Sequence, residues 1–117
     1  MPSRDPLLRV QDILEAISRI QRYTAGMSLE TFSADDKTID AVIRNFIIIG
    51  EAAGQVGAGL QDRYPAVPWA IMRGMRNTLT HVYFGVSMSI VWQTIADDLP
   101  PLDPLLRDLL DRERSPD

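Results

Sequence analysis

The sequence contains no cysteine and only one histidine in 117 residues. Without cysteine the chain has no disulfide bond, no thiolate nucleophile and no cysteine-bound zinc. No uninterrupted apolar stretch approaches the ~20 residues that a membrane-spanning helix needs. The first ten residues lack the apolar core and cleavage site of a secretory signal. The composition, with 45% hydrophobic and 24% charged residues, is that of a globular protein. We therefore expect one domain over residues 1–117, in the cytoplasm and without a membrane partner.

Negative charge exceeds positive charge, with a net charge of −4. This balance excludes a protein that coats nucleic acid, which would carry a broad basic face, and we expect no DNA partner. The acids are unevenly distributed, however, since residues 63–96 contain no carboxylate. That segment carries Arg63, Arg73, Arg76 and His81. It predicts a focused anion site, unless the fold brings Glu51 or Asp62 alongside and cancels the charge.

Apolar residues recur at three- and four-residue steps along most of the chain, which predicts an all-α fold. Asp5 and Pro6 form a typical helix start, and Gly26 is a typical stop. A long second helix follows the capping residues at 33–36 and is expected to continue to Leu60. Its middle, FIIIGEAAG at residues 46–54, is apolar nearly all round. We expect this helix to be the buried centre of the fold.

Prolines and a glycine divide the second half of the chain. Pro68 begins a third helix, Gly85 interrupts it, and Ser87 caps a fourth helix that Pro100 and Pro101 end. Asp103 and Pro104 then begin a short fifth helix, with residues 112–117 as a frayed tail. The predicted architecture is an up-and-down four-helix bundle with a short C-terminal fifth helix.

The segment RGMRNTLTHVYFG at residues 73–85 carries the residues suited to phosphate chemistry. Arg76 can bind phosphate oxygens bidentately, and His81 can transfer a proton near neutral pH. The phenol of Tyr83 follows two positions later. On an ideal helix, residues five apart project about 140° from each other. Either the helix distorts near His81, or the site is assembled between two copies of the protein.

The single histidine favours a site shared by a homodimer. Cleaving RNA without a metal requires a base for the 2′-hydroxyl and an acid for the leaving 5′-oxygen. One chain offers one imidazole, whereas a symmetric dimer offers two beside two copies of Arg76. Asn77, one turn before His81, would then orient the ring. The alternatives are a structural His81, an Arg76 in a surface ion pair, and a Tyr83 at the rim of the core.

Glu51 is a further candidate for the same site. Its neighbours Gly50, Ala52, Ala53 and Gly54 are small and permit close helix approach. We expect either a partly buried carboxylate that pairs with Arg73 or Arg76, or one that simply reaches solvent.

Clustered acids do not predict a metal site here. Asp35, Asp36 and Asp40 lie where a helix N-terminus favours negative charge. No other set of ligands is evident, so we predict neither a metal nor a cofactor.

The motif resembles R-x(4)-H-x-Y of HepT-like toxins, the HEPN-domain members of HEPN/MNT toxin–antitoxin pairs. Here it is met by Arg76, His81 and Tyr83. Other stretches resemble the family in the same order: IIIGEAA at 47–53, YPAVPW at 64–69, MRN at 75–77, YFGV at 83–86 and IVWQTIADDLPPL at 90–102. The similarity covers about residues 39–102.

This resemblance implies a dimerising helical bundle with the motifs of both protomers lining one cleft. It implies a metal-independent endoribonuclease in which Arg76 and His81 act on RNA and the 2′-hydroxyl is the nucleophile. Asn77, Arg73 and Glu51 would support them. It also implies an MNT-type nucleotidyltransferase antitoxin, which can attach AMP to Tyr83.

Two non-catalytic hypotheses stand beside the nuclease. One is a binding module that captures a nucleotide or RNA and docks the nucleotidyltransferase. The other is a dimeric helical scaffold, which has no need of Arg76 and His81 together.

Overall fold

The computed structural model describes residues 5–77 and 88–115. All regular structure within these residues is helical, which confirms the predicted all-α class. The elements are α1 (Pro6–Tyr23), α2 (Leu29–Ser33), α3 (Asp36–Gly54), α4 (Ala58–Arg63), α5 (Trp69–Gly74), a 3₁₀ turn (Met75–Asn77), α6 (Met88–Gln93), a π-helical turn (Thr94–Asp98) and α7 (Leu99–Arg114).

Helix α1 begins where the sequence predicted and ends at Tyr23, shortly before the predicted stop at Gly26. The Asp5 carboxylate accepts a hydrogen bond of 2.8 Å from the backbone N–H of Leu7, and Pro6 occupies the first turn. After the helix, Gly26 adopts a φ of 78°, a conformation that favours glycine. The inward face is buried along its whole length and consists of Val10, Ile13, Leu14, Ala16, Ile17 and Ile20.

Helix α3 is the buried centre of the fold, as predicted. It packs against α1 and buries Ile39, Val42, Ile43, Phe46, Ile49, Ala52 and Ala53. The Asp35 carboxylate caps it by accepting the backbone N–H of Thr38 at 3.0 Å. That hydrogen bond lowers the pKa of Asp35, because it stabilises the ionised form.

The predicted second helix was wrong at its C-terminal end. Helix α3 ends at Gly54 rather than at Leu60, and Gly57 adopts a φ of 97°. Such a φ interrupts a helix, so Leu60 belongs to the separate α4, where it is buried. The unpredicted α2 begins with a capping box between Ser28 and Thr31.

The predicted role of Pro100 and Pro101 was also wrong, because these prolines lie in the first turn of α7 instead of ending a helix. Proline is tolerated there since the first N–H groups of a helix have no intrahelical partner. Helix α7 is 16 residues long and continues past Pro104. Residues 112–114, expected in the frayed tail, are helical.

The second half of the chain closes the core around α3. Helix α5 and the 3₁₀ turn pack on α3, and α7 packs on α1. Trp69 is buried and donates its indole N–H to the backbone carbonyl of Tyr64 at 3.0 Å. Trp92 is half-buried against Phe32, with ring centroids 5.2 Å apart. None of the helices within residues 5–77 and 88–115 is both long and apolar enough to cross a membrane.

Candidate functional site

The predicted motif arginine lies in the 3₁₀ turn that follows α5. Met72 and Met75 are buried and anchor this turn to the core, whereas Arg76 and Asn77 are exposed. The backbone N–H of Met75 bonds to the carbonyl of Met72, an i→i−3 contact typical of 3₁₀ geometry. The chain therefore departs from α-helical geometry at the arginine.

The other two motif residues, His81 and Tyr83, lie outside the described residues. The same holds for the predicted hydrogen bond from Asn77 to His81. These assignments stay predictions from the sequence.

The sequence left Arg73 and Arg76 open as partners of Glu51. In the structure Glu51 faces Arg76 and not Arg73. Oε1 of Glu51 lies 3.9 Å from Nη1 of Arg76, with 54% and 59% of the two side chains exposed. The carboxylate therefore reaches solvent and is not partly buried. Exposed ion pairs of this kind contribute little to stability. The guanidinium keeps its freedom to bind another anion.

Arg73 is directed elsewhere by an unpredicted partner. Its Nη1 donates to Oε1 of Gln61 at 2.8 Å, and Nε2 of Gln61 donates to the carbonyl of Ala53 at 3.3 Å. This chain of hydrogen bonds ties α5 to α4 and to the end of α3. The sequence carried no signal for Gln61, because the separate α4 was not predicted.

Gly50 brings α3 into backbone contact with the 3₁₀ turn. A Cβ atom placed on Gly50 would lie 2.7 Å from the backbone nitrogen of Arg76 and 2.8 Å from its Cβ. It would also lie 3.1 Å from the carbonyl oxygen of Arg73. The signal for this contact was the run of small residues around Glu51, which predicted a close approach of helices without naming the partner segment.

The arrangement suits the binding of a phosphate group. A guanidinium offers five N–H donors in a planar fork that matches phosphate oxygens. Here it projects from a turn that the buried Met72 and Met75 hold against the core. The backbone of the arginine is therefore fixed, while its guanidinium is accessible. Across the described parts of the chain no group of three or more His, Asp or Glu side chains is placed to hold a metal ion.

Three relatives are similar to this chain over most of its length and most of theirs. A Thermococcus cleftensis protein named as a probable ribonuclease HepT is 41% identical over 93 residues, which cover 80% of this chain and 84% of that protein. A Methanocaldococcus jannaschii protein named as a candidate RNase is 37% identical over 100 residues, with 86% and 83% covered. One from Caldanaerobacter subterraneus, also named as a candidate RNase, is 32% identical over 111 residues, with 95% and 99% covered.

The family comparison agrees with these relatives. The model of the family described as "Ribonuclease HepT-like" matches residues 13–109, a range that includes α3, the 3₁₀ turn and most of α7. No solved structure matches the chain. The extent of the match and the identities together decide the classification: this chain belongs to the ribonuclease HepT-like family.

Proposed function

We propose that this protein is a metal-independent endoribonuclease and the toxin of a HEPN/MNT toxin–antitoxin pair. The observation that carries the proposal is the exposed guanidinium of Arg76 on a core-anchored turn, in a chain of the ribonuclease HepT-like family. The names of the relatives point to a ribonuclease. RNA is the substrate, and no metal or cofactor takes part.

The proposed reaction uses Arg76 and His81 in complementary roles. Arg76 binds two oxygens of the scissile phosphate and stabilises the charge that builds in the transition state. One imidazole removes the proton of the 2′-hydroxyl, and the 2′-oxygen attacks phosphorus. The bond from phosphorus to the 5′-oxygen breaks, and a second imidazole protonates the leaving oxygen. The products are a 2′,3′-cyclic phosphate and a 5′-hydroxyl.

The second imidazole comes from a second copy of the chain. Two exposed apolar side chains, Ile71 with 50% and Ile90 with 45% of the surface accessible, line one groove together with Met75 of the 3₁₀ turn. A homodimer that covers this groove would bring two copies of the turn into one cleft. This supports a composite site made by both protomers.

The antitoxin is an MNT-type nucleotidyltransferase that attaches AMP to Tyr83. A phosphate ester near Arg76 adds negative charge and bulk where the RNA phosphate has to bind. Coexpression with the nucleotidyltransferase should add one AMP to the wild type and none to Tyr83→Phe, as measured by mass spectrometry. An AMP on a different residue would refute this assignment.

RNA cleavage by the unmodified protein in EDTA tests the proposed function, with His81→Ala beside it. We expect cleavage by the wild type with 2′,3′-cyclic phosphate ends, and none by the folded variant. Absence of cleavage of messenger and transfer RNA by dimeric, unmodified protein would contradict the proposal. That result would favour the binding module that captures RNA or a nucleotide and docks the nucleotidyltransferase.

A further inference from the structure

We propose that Gly50 is a positioning residue for Arg76, because the absence of a side chain there lets the 3₁₀ turn rest directly on α3. This inference rests on the proposed function for its consequence, since it concerns the residue that binds the scissile phosphate. The contact itself is independent of any activity.

The closeness of the two backbones carries the argument. A Cβ atom added to Gly50 would meet three atoms, which are the nitrogen and Cβ of Arg76 at 2.7 and 2.8 Å and the carbonyl oxygen of Arg73 at 3.1 Å. Normal contacts between non-bonded heavy atoms lie near 3.5–4.0 Å. A methyl group at residue 50 therefore does not fit between α3 and the turn.

The atoms in the way are ones that cannot swing aside. Two belong to the backbone, and the third is the Cβ of Arg76, which moves only with its own backbone. The turn is also anchored by the buried Met72 and Met75. An alanine at residue 50 would thus displace the backbone of Arg76, and the guanidinium would move with it. Small displacements of a reacting group cost large factors in rate.

Gly54 supplies a matched control one helical turn further along α3. A Cβ added at Gly54 meets nothing within 4 Å, and the residue is exposed. Gly54→Ala makes the same chemical change in the same helix without contact with the turn. Alanine is also the better helix former, so this variant should fold at least as well as the wild type.

The experiment compares steady-state RNA cleavage by the wild type, Gly50→Ala and Gly54→Ala in the full chain. We expect Gly50→Ala to lower kcat by about 10–100-fold, with a much smaller change in KM, and Gly54→Ala to remain within about twofold. In an Arg76→Lys background, which lacks the bidentate contact, Gly50→Ala should lower kcat by less than about threefold, because coupled residues are not additive. Equal kcat values for the two alanine variants, or a full additional loss in the Arg76→Lys background, would overturn the inference.

Nuclear magnetic resonance separates this inference from the proposed function. Gly50→Ala should shift the backbone amide resonance of Arg76, whereas Gly54→Ala should leave it in place, whether or not the protein cleaves RNA. An unshifted Arg76 resonance in Gly50→Ala would overturn the inference even for an active nuclease. If Gly50→Ala fails to fold, the contact can be tested in the wild type. We expect a nuclear Overhauser effect between the Gly50 α-protons and the Arg76 amide proton. Its absence would refute the contact.

Discussion

Arg76 is held through its backbone rather than through its side chain. Its neighbour Met75 is buried, and its own backbone nitrogen lies against Gly50 of α3. The guanidinium, by contrast, is 59% exposed and only 3.9 Å from one carboxylate oxygen of Glu51. A phosphate-binding arginine requires a fixed backbone and an accessible guanidinium, because the side chain is then positioned before the substrate arrives.

Replacing Glu51 by glutamine should therefore have only a small effect. An exposed ion pair contributes about 0.2–1 kcal/mol, which corresponds to about 1.4–5-fold in rate. We expect Glu51→Gln to lower RNA cleavage by a factor in that range, since the carboxylate restrains the guanidinium weakly. The measurement is kcat/KM with one defined RNA.

Glu30→Gln is the matched control, because Glu30 is exposed in α2 and distant in sequence from the motif. It should leave the rate unchanged. A loss of more than about 100-fold in folded Glu51→Gln, the scale of a group acting in the transition state, would contradict the supporting role assigned to this carboxylate.

Among the helices, Glu113 connects the end of α7 to the end of α4. Its Oε2 accepts the hydroxyl of Tyr64 at 2.7 Å, and its Oε1 pairs with Nη2 of Arg63. The hydrogen bond from Tyr64 lowers the pKa of Glu113 most, and the hydrogen bond from Arg63 lowers it further. The same hydrogen bond raises the pKa of Tyr64. Both shifts mean that the native structure favours ionised Glu113 and protonated Tyr64.

This connection should make stability fall in acid. Because the native pKa of Glu113 is lower than that of the unfolded chain, its contribution is present above the unfolded pKa and is lost as pH falls through the native pKa. We expect Glu113→Gln to melt below the wild type near neutral pH, with the difference constant down to about pH 5 and shrinking as the pH falls further. The measurement is the melting temperature of each protein at each pH, monitored by circular dichroism.

Glu15→Gln serves as the control for Glu113→Gln. Glu15 also pairs with an arginine, Arg19, but within α1 and with 62% of its side chain exposed. It should melt close to the wild type at every pH. A Glu113→Gln variant with the wild-type melting temperature at neutral pH would show that the link between α4 and α7 does not stabilise the fold.

The sequence predicted the starts of α1 and α3 better than the end of α3. Asp5 and Asp35 cap α1 and α3 because a carboxylate next to free N–H groups is a local signal. The end of α3 was missed because apolar residues continue in helical spacing to Leu60. Pro100 and Pro101 were misread because proline both ends one helix and starts the next, and only the packing of α7 decides between these roles.

The sequence supplied the residue types of the proposed site but not its geometry. The small residues around Glu51 suggested a pairing with Arg73 or Arg76, with a carboxylate that reaches solvent as the alternative. In the structure the exposed carboxylate lies 3.9 Å from the guanidinium of Arg76. The location of the 3₁₀ turn at Met75–Asn77 could not be predicted, because the sequence there is compatible with an α-helix. The turn lies against Gly50 of α3, a contact between segments distant in sequence.

For the molecule as a whole, the apolar groove beside the 3₁₀ turn is exposed in the single chain. If the groove is the dimer interface, an aspartate at Ile71 or Ile90 would bury an unpaired charge, which is strongly unfavourable. We expect Ile71→Asp and Ile90→Asp to be monomeric in analytical ultracentrifugation and to lose RNA cleavage together with dimerisation.

Leu8→Asp is the control, because Leu8 is a similarly exposed apolar residue, with 40% of its surface accessible, on α1. It should remain dimeric and active. A monomeric Ile71→Asp variant with full cleavage activity would contradict the shared site.

The role of Arg76 as the phosphate-binding residue is tested by the rate of RNA cleavage in EDTA by Arg76→Ala, measured beside Arg107→Ala. Arg107 lies on α7 and pairs with Asp103 of the same helix, so its loss removes the same charge at a different place. We expect a loss of about 100–1,000-fold for folded Arg76→Ala and a wild-type rate, within about twofold, for Arg107→Ala. Cleavage at the wild-type rate by Arg76→Ala would show that this arginine does not carry the reaction.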